Sequence, residues 1–340
     1  MSSLKSRRKV LGTIAALTTA PLAGALSKRV YAQTTKPIRI GYLHVPSVDA
    51  QMWLMKELGT YGKEGLDPTF IRFNTGIEGF SALVGGSVDA LTTGGVTHNF
   101  PARGQGVVVL PHCVEFAGQV FGRGDGGINT LADLKGKKVA TTLGTTGQII
   151  LHTALKSIGL DSTKDIEVVS QTMPSAVTSY VTGSVPALST WVPFNLRARD
   201  VKTSKLLAEA RQFAPKAGYV LDAYSVTRRT LDSNPDLVRR LIAAWGPAND
   251  MLIQRKEESI TVLQQRYYKD DMDFEQMRAN FDAMDLYNAP KWSAMMKDGT
   301  LHGMLDAVTS IFVEIGAIQN PLPASKYSDF SAFTSTYKAA

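Results

Sequence analysis

The residues of this chain best suited to chemistry are glycines and hydroxyls set before a helix-like run: Leu143-Gly144-Thr145-Thr146-Gly147-Gln148. Glycine lets the backbone turn tightly, and the first N–H groups of a helix have no internal acceptor. Two hydroxyls beside such N–H groups, at the positive end of the helix dipole, suit the oxygens of an anion. Thr145 and Thr146 also suit plain N-capping, and the two roles are compatible. Three earlier segments occupy similar strand-to-helix junctions. They are residues 44–51, with His44 and Gln51 as candidates, residues 74–76, and residues 93–99, where Thr97 follows a glycine pair. Open parallel sheets bind ligands beyond the carboxyl ends of their strands, so these junctions form one candidate site. Trp191, in Ser189-Thr190-Trp191-Val192-Pro193, offers an indole that either walls a pocket or fills an interface.

Other patterns exclude common chemistries. Gly122-Arg123-Gly124-Asp125-Gly126-Gly127 has the spacing of a dinucleotide fingerprint but opens no long helix, so it reads as a turn. No P-loop, zinc-binding His-Glu-x-x-His or Gly-x-Ser-x-Gly elbow occurs. The five histidines, His44, His98, His112, His152 and His302, lack ligand spacing, so no metal is expected. Cys113 is the single cysteine, which excludes an intramolecular disulfide, and its apolar setting reads as a buried thiol. No catalytic machinery and no cofactor is expected.

Apolar patterning supplies the elements that must position these residues. Short strand-like runs at 37–43, 68–73, 88–92 and 107–110 alternate with helical ones at 51–62 and 78–86. After a short capped helix at 129–136 the alternation restarts. Strands at 138–142, 166–169, 185–190 and 205–209 then alternate with helices at 147–158 and 175–182. This order predicts an α/β chain of two lobes, each a mainly parallel sheet flanked by helices, with a helical C-terminal segment. Lobe 1 spans 36–118 and lobe 2 spans 119–218. An extended run at 219–227 leads residues 219–326 back to the first lobe, and 327–340 forms a polar tail. Asn234, Pro235 and Asp236 read as a helix start. Leu237, Val238, Leu241, Ile242 and Trp245 form one packing stripe; Leu301, Met304, Leu305, Val308, Ile311, Phe312 and Ile315 form another.

The first residues carry an address. Ser6-Arg7-Arg8-Lys9-Val10-Leu11-Gly12 resembles a twin-arginine export signal, and Val30-Tyr31-Ala32 a small-residue cleavage site. Residues 1–32 are therefore expected to be a removed signal, with export to a periplasm and cleavage near Ala32. Ala25 stands where a lipoprotein would need cysteine, so the mature chain is expected free in solution. The leader holds six basic residues and no acidic ones, so removing it lowers the net charge from +7 to +1. That balance leaves no basic field for nucleic acid. No later apolar run has membrane length, and the chain is expected to be soluble.

At these junctions the chain resembles the periplasmic solute-binding proteins of ABC importers for taurine and alkanesulfonates. The likeness rests on Arg39-Ile40-Gly41-Tyr42, Ala82-Leu83-x-x-Gly86-Ser87-Val88-Asp89-Ala90 and Thr93-Gly94-Gly95. It continues through Leu131-Ala132-Asp133-Leu134-Lys135-Gly136-Lys137-Lys138-Val139-Ala140, Gly144-Thr145-Thr146 and Trp191-Val192-Pro193. The resemblance implies a two-lobed type II periplasmic binding fold closing on a ligand. It also implies a monomeric receptor that delivers a small organic anion to an inner-membrane permease. It places Thr97, Thr145, Thr146, Trp191 and Asp222 at the ligand, with Asp222 suited to the ammonium group of an aminosulfonate such as taurine. The alternative for Asp222 is a hinge carboxylate paired with Arg228 or Arg229. Other ligands of the same receptor would be an aromatic or other carboxylate, a sulfate ester, nitrate or a thiamin precursor. A related cytosolic family makes a thiamin pyrimidine with a cysteine-rich run; this chain, with Cys113 alone, is not expected to be an enzyme.

Overall fold

The computed structural model describes residues 35–337, so the export signal and cleavage site lie outside the described residues. Eleven described strands form two sheets. The first takes β1 (Lys36–Leu43), β2 (Leu66–Phe73), β3 (Ala90–Thr93), β4 (Val107–Glu115), β10 (Val220–Val226) and β11 (Met284–Asp285), in the order β11-β4-β10-β3-β1-β2. The second takes β5 (Gln119–Arg123), β6 (Lys138–Thr141), β7 (Glu167–Ser170), β8 (Ala187–Thr190) and β9 (Ser204–Glu209), in the order β7-β6-β8-β5-β9. Helices flank both, giving a two-lobed α/β fold.

The strands joined by crossover helices are parallel: β1 with β2 and β3, β6 with β7 and β8. The strands nearest the lobe crossings are antiparallel. β10 runs against β3 and β4, and β5 against β8 and β9, so each sheet is mixed rather than mainly parallel. For β10 the cause is connectivity, since the chain leaves the first sheet after β4 and re-enters it from the opposite end; β5 is instead the strand by which the chain first enters the second sheet.

All nine residues of β4 and all seven of β10 are buried. The run expected to end at Leu110 continues to Glu115, because β10 and β11 flank it on both sides. Pro111 has no N–H for the ladder. The register against β10 slips there, with Asp222 opposite Cys113 but Ala223 opposite Pro111. Phe116-Ala117-Gly118 carries the chain into the second sheet, and residues 210–219 bring it back. The Ala210 N–H donates to the Gly118 carbonyl at 2.9 Å and ties the two crossings together.

Two differences from the sequence expectations matter. The first helix begins at Pro46, not 51, because proline's fixed φ suits the first helical position. Residues 327–337, expected as part of a polar tail, are packed against the fold. Tyr327 and Phe333 are buried, and the Asp329 N–H donates to Val108 O at 2.9 Å. The aromatics, spaced three or four apart, supply an apolar face that the surrounding Ser and Thr hide.

Candidate functional site

A cavity of about 480 Å³ lies between the lobes, within the range of small-molecule sites. Four helices present their first turns to it, two beside each sheet. Pro46–Glu57 contributes Val45 and Val48, and Gly76–Val84 contributes Thr75 and Gly76. From the other side, Thr146–Ser157 contributes Thr145 and Thr146, and Met173–Val181 contributes Thr172, Met173 and Pro174. Only Thr75 accepts a capping bond, from the Glu78 N–H at 3.2 Å. The Thr145 hydroxyl donates instead to the Thr142 carbonyl at 2.7 Å, and Thr172 donates to the Ser175 hydroxyl at 2.9 Å. Backbone N–H groups of three first turns therefore lack a side-chain cap, and four positive helix ends converge on one space. The exposed Arg72 lines the same cavity, with no ion pair among the described residues.

The walls are apolar and aromatic. Trp191, just past the end of β8, packs edge-on against Phe194 at 5.6 Å, and Phe73 closes another side. His44 lines the cavity but is held from behind. Its Nδ1 lies 2.8 Å from the fully buried Asp49, its ring stacks on Tyr268 at 4.0 Å, and its Nε2 lies 3.3 Å from Asp271. Burial raises the Asp49 carboxyl, while bonds from His44, Tyr268 and Trp53 pull it back down.

Of the seven expected site residues, His44, Thr145, Thr146 and Trp191 line the cavity. Three do not. Gln51 sits inside the first helix and donates to the His112 carbonyl at 3.2 Å, because the helix starts at Pro46 and turns it toward β4. Thr97 is buried and bonds back to Thr93, Oγ1 to Oγ1 at 2.9 Å and to its carbonyl at 3.1 Å. It is Gly94, Gly95 and Val96 of that loop that face the cavity. Asp222 is fully buried behind Gly94: a Cβ on that glycine would lie 2.8 Å from Asp222 Oδ1. Neither Arg228 nor Arg229 reaches it; Arg228 lies 3.9 Å from Asp329.

Two carboxylates reach the cavity: the exposed Glu78, which accepts the Asn74 N–H at 3.1 Å, and the buried Glu115, the last residue of β4. Glu115 Oε2 accepts the Ser47 hydroxyl at 3.0 Å. Burial raises its carboxyl. It raises Asp222 well above the usual carboxylate range, an effect the nearby Glu115 charge reinforces. Sequence reading missed Glu115, Arg72 and Thr172. An acid closing a buried apolar strand at its ligand-facing end was the available signal for the first.

The two mixed sheets, their crossings and the cavity between them define a periplasmic-binding-protein fold. The chain belongs to the family described as NMT1/THI5 like, which it matches over residues 50–259. It is 26% identical over 305 residues to a Brucella abortus protein provisionally named a binding protein, covering 88% of this chain and 92% of that one. An Escherichia coli protein provisionally named for binding aliphatic sulfonates is 26% identical over 250 residues, covering 71% of this chain and 76% of the other. The alkanesulfonate-binding protein SsuA from Xanthomonas axonopodis pv. citri, solved bound to MOPS, superposes with a TM-score of 0.69 at 18% identity. The match covers 87% of this chain and 98% of that one, and at that identity it shows a shared fold. No helix among the described residues is long and apolar enough to cross a membrane.

Proposed function

We propose that the chain is the periplasmic receptor of an ABC importer, closing its lobes on a small organic acid and handing it to a permease. The observation that carries this reading is the convergence of four helix N-termini and Arg72 on one interlobe cavity. A sulfonate is the favoured acid: its three oxygens can take N–H groups from several helices at once, and the Escherichia coli relative carries a sulfonate name. The protein acts as a monomer, needs no cofactor and catalyses nothing. The twin-arginine leader delivers it to the periplasm, where it is cut near Ala32.

An aromatic carboxylate is the second reading, favoured by Trp191, Phe194 and Phe73 around a cavity roomier than a two-carbon sulfonate needs. A thermal-shift screen of the mature protein decides between them, using alkanesulfonates, taurine, sulfate esters, aromatic acids and nitrate. A probe at a hundred times its Kd adds about 2.7 kcal/mol of stability. Arg72→Gln should weaken the best acid roughly 10- to 100-fold, the scale of a charge-assisted hydrogen bond. If no acid shifts the protein, the receptor reading is wrong.

A further inference from the structure

Resting on the receptor reading above, we infer that the ligand also carries a positively charged nitrogen, an ammonium or amidinium, held against Glu115 at the cavity floor. Asp222 acts behind it as a positioning residue, and binding drives a proton out of the pair they form. Glu115 lines the cavity while remaining 3% exposed, and its Oε1 has no hydrogen-bond partner. Asp222 Oδ1 is equally unpartnered, and its Oδ2 has only the weak Cys113 thiol donor at 3.6 Å. The two carboxylates meet under Gly94. A Cβ there would lie 2.8 Å from Asp222 Oδ1 and 3.4 Å from Glu115 Oε2.

No lysine, arginine or histidine forms an ion pair with either carboxylate among the described residues. Each group packed around them is neutral or already engaged. The first helix offers the Ser47 hydroxyl, and beyond it Asp49, taken up by His44, Trp53 and Tyr268. On β4 the Cys113 thiol is kept neutral by burial, and its neighbour His112 is neutral too. On β11, Asp285 is paired with Arg211 at 3.0 Å. Two buried carboxylates without a countercharge are costly, and a shared proton is the inexpensive resolution while the site is empty. A cationic nitrogen replaces that proton with its own charge and gives Glu115 Oε1 the donor it lacks. The displaced proton passes to solvent, so affinity rises with pH until the pair is ionised unaided. Arg72 and the helix ends meanwhile take the acid end, making the ligand zwitterionic.

Matched acids test this: taurine against ethanesulfonate, 4-(aminomethyl)benzenesulfonate against toluenesulfonate, and 4-amidinobenzoate against benzoate. Each is titrated calorimetrically into the mature protein in phosphate and in Tris, whose ionisation enthalpies differ. In at least one pair the nitrogen-bearing acid should bind tenfold or more tightly, with a buffer-dependent heat that reports proton release. Glu115→Gln should bring that ratio near unity. Asp222→Asn, which keeps the Glu115 carboxylate, should keep the preference but lose the proton release, and it serves if the first variant folds poorly. Nitrogen-free acids binding as well in every pair, or a preference that survives Glu115→Gln, would overturn the inference and leave the receptor reading standing. Binding of none of the acids would overturn both.

Discussion

Gly95 stands where the two lobes come together. A Cβ built on it would lie 2.6 Å from the Thr146 backbone nitrogen and 3.0 Å from its hydroxyl. The glycine thus lets the loop after β3 approach the first turn of the Thr146–Ser157 helix, and any side chain must push that helix away. Gly95→Val should therefore hold the lobes apart and weaken the best ligand roughly 5- to 150-fold, the range of an overpacking cost of about 1–3 kcal/mol. Calorimetry checks the affinity. The same residue explains why Thr97 is absent from the cavity. The loop turns so tightly over Gly94-Gly95 that Thr97 folds back onto Thr93, and backbone rather than hydroxyl faces the ligand space.

At the scale of elements, alternating apolar runs made most strands and helices legible, because burial of one face dictates the period. What stayed illegible was decided by neighbours. The end of β4, and with it Glu115, depends on β10 and β11, which are remote in sequence. The inward face of Asp222 depends on a register slip opposite Pro111. The C-terminal helix, Ser331–Thr336, gives another case, since its sequence is polar yet its end completes a different helix. Pro247 interrupts the Pro235–Gln254 helix, and Tyr337 inserts its hydroxyl into the broken ladder. It accepts from the Gly246 N–H at 3.0 Å and donates to the Ile242 carbonyl at 2.7 Å. Tyr337→Phe leaves both groups unpaired and should cost about 1–2 kcal/mol, lowering Tm by roughly 2–6 °C. Differential scanning calorimetry reads it directly, with ligand affinity as the control for a purely structural effect.

For the whole molecule, buried titratable groups set opposite slopes on stability against pH. His98 accepts the Leu221 N–H at Nε2, and burial lowers its pKa to about 4. His112, 3.0 Å from the Thr92 hydroxyl and equally buried, is lowered to about 3. Both are held neutral, so their contribution is present above the ordinary histidine value near 6.5 and is lost as pH falls toward 4 and 3. Glu115 and Asp222 are raised by burial, so their contribution is present below the ordinary carboxylate range near 4 and is lost as pH climbs through their raised values. Ligand-free stability should therefore pass through a maximum, falling on the acid side through the histidines and on the neutral side through the carboxylates. Asp222→Asn removes one acid and relieves the other of its repulsion. Its stability relative to wild type should grow as pH rises above about 4, moving the optimum upward, while the acid limb stays where the histidines put it. Thermal unfolding from pH 4.5 to 8.5 on both proteins measures this. A constant difference between the two curves would mean that the carboxylates ionise as readily in the fold as outside it, and that the cavity floor already has its countercharge.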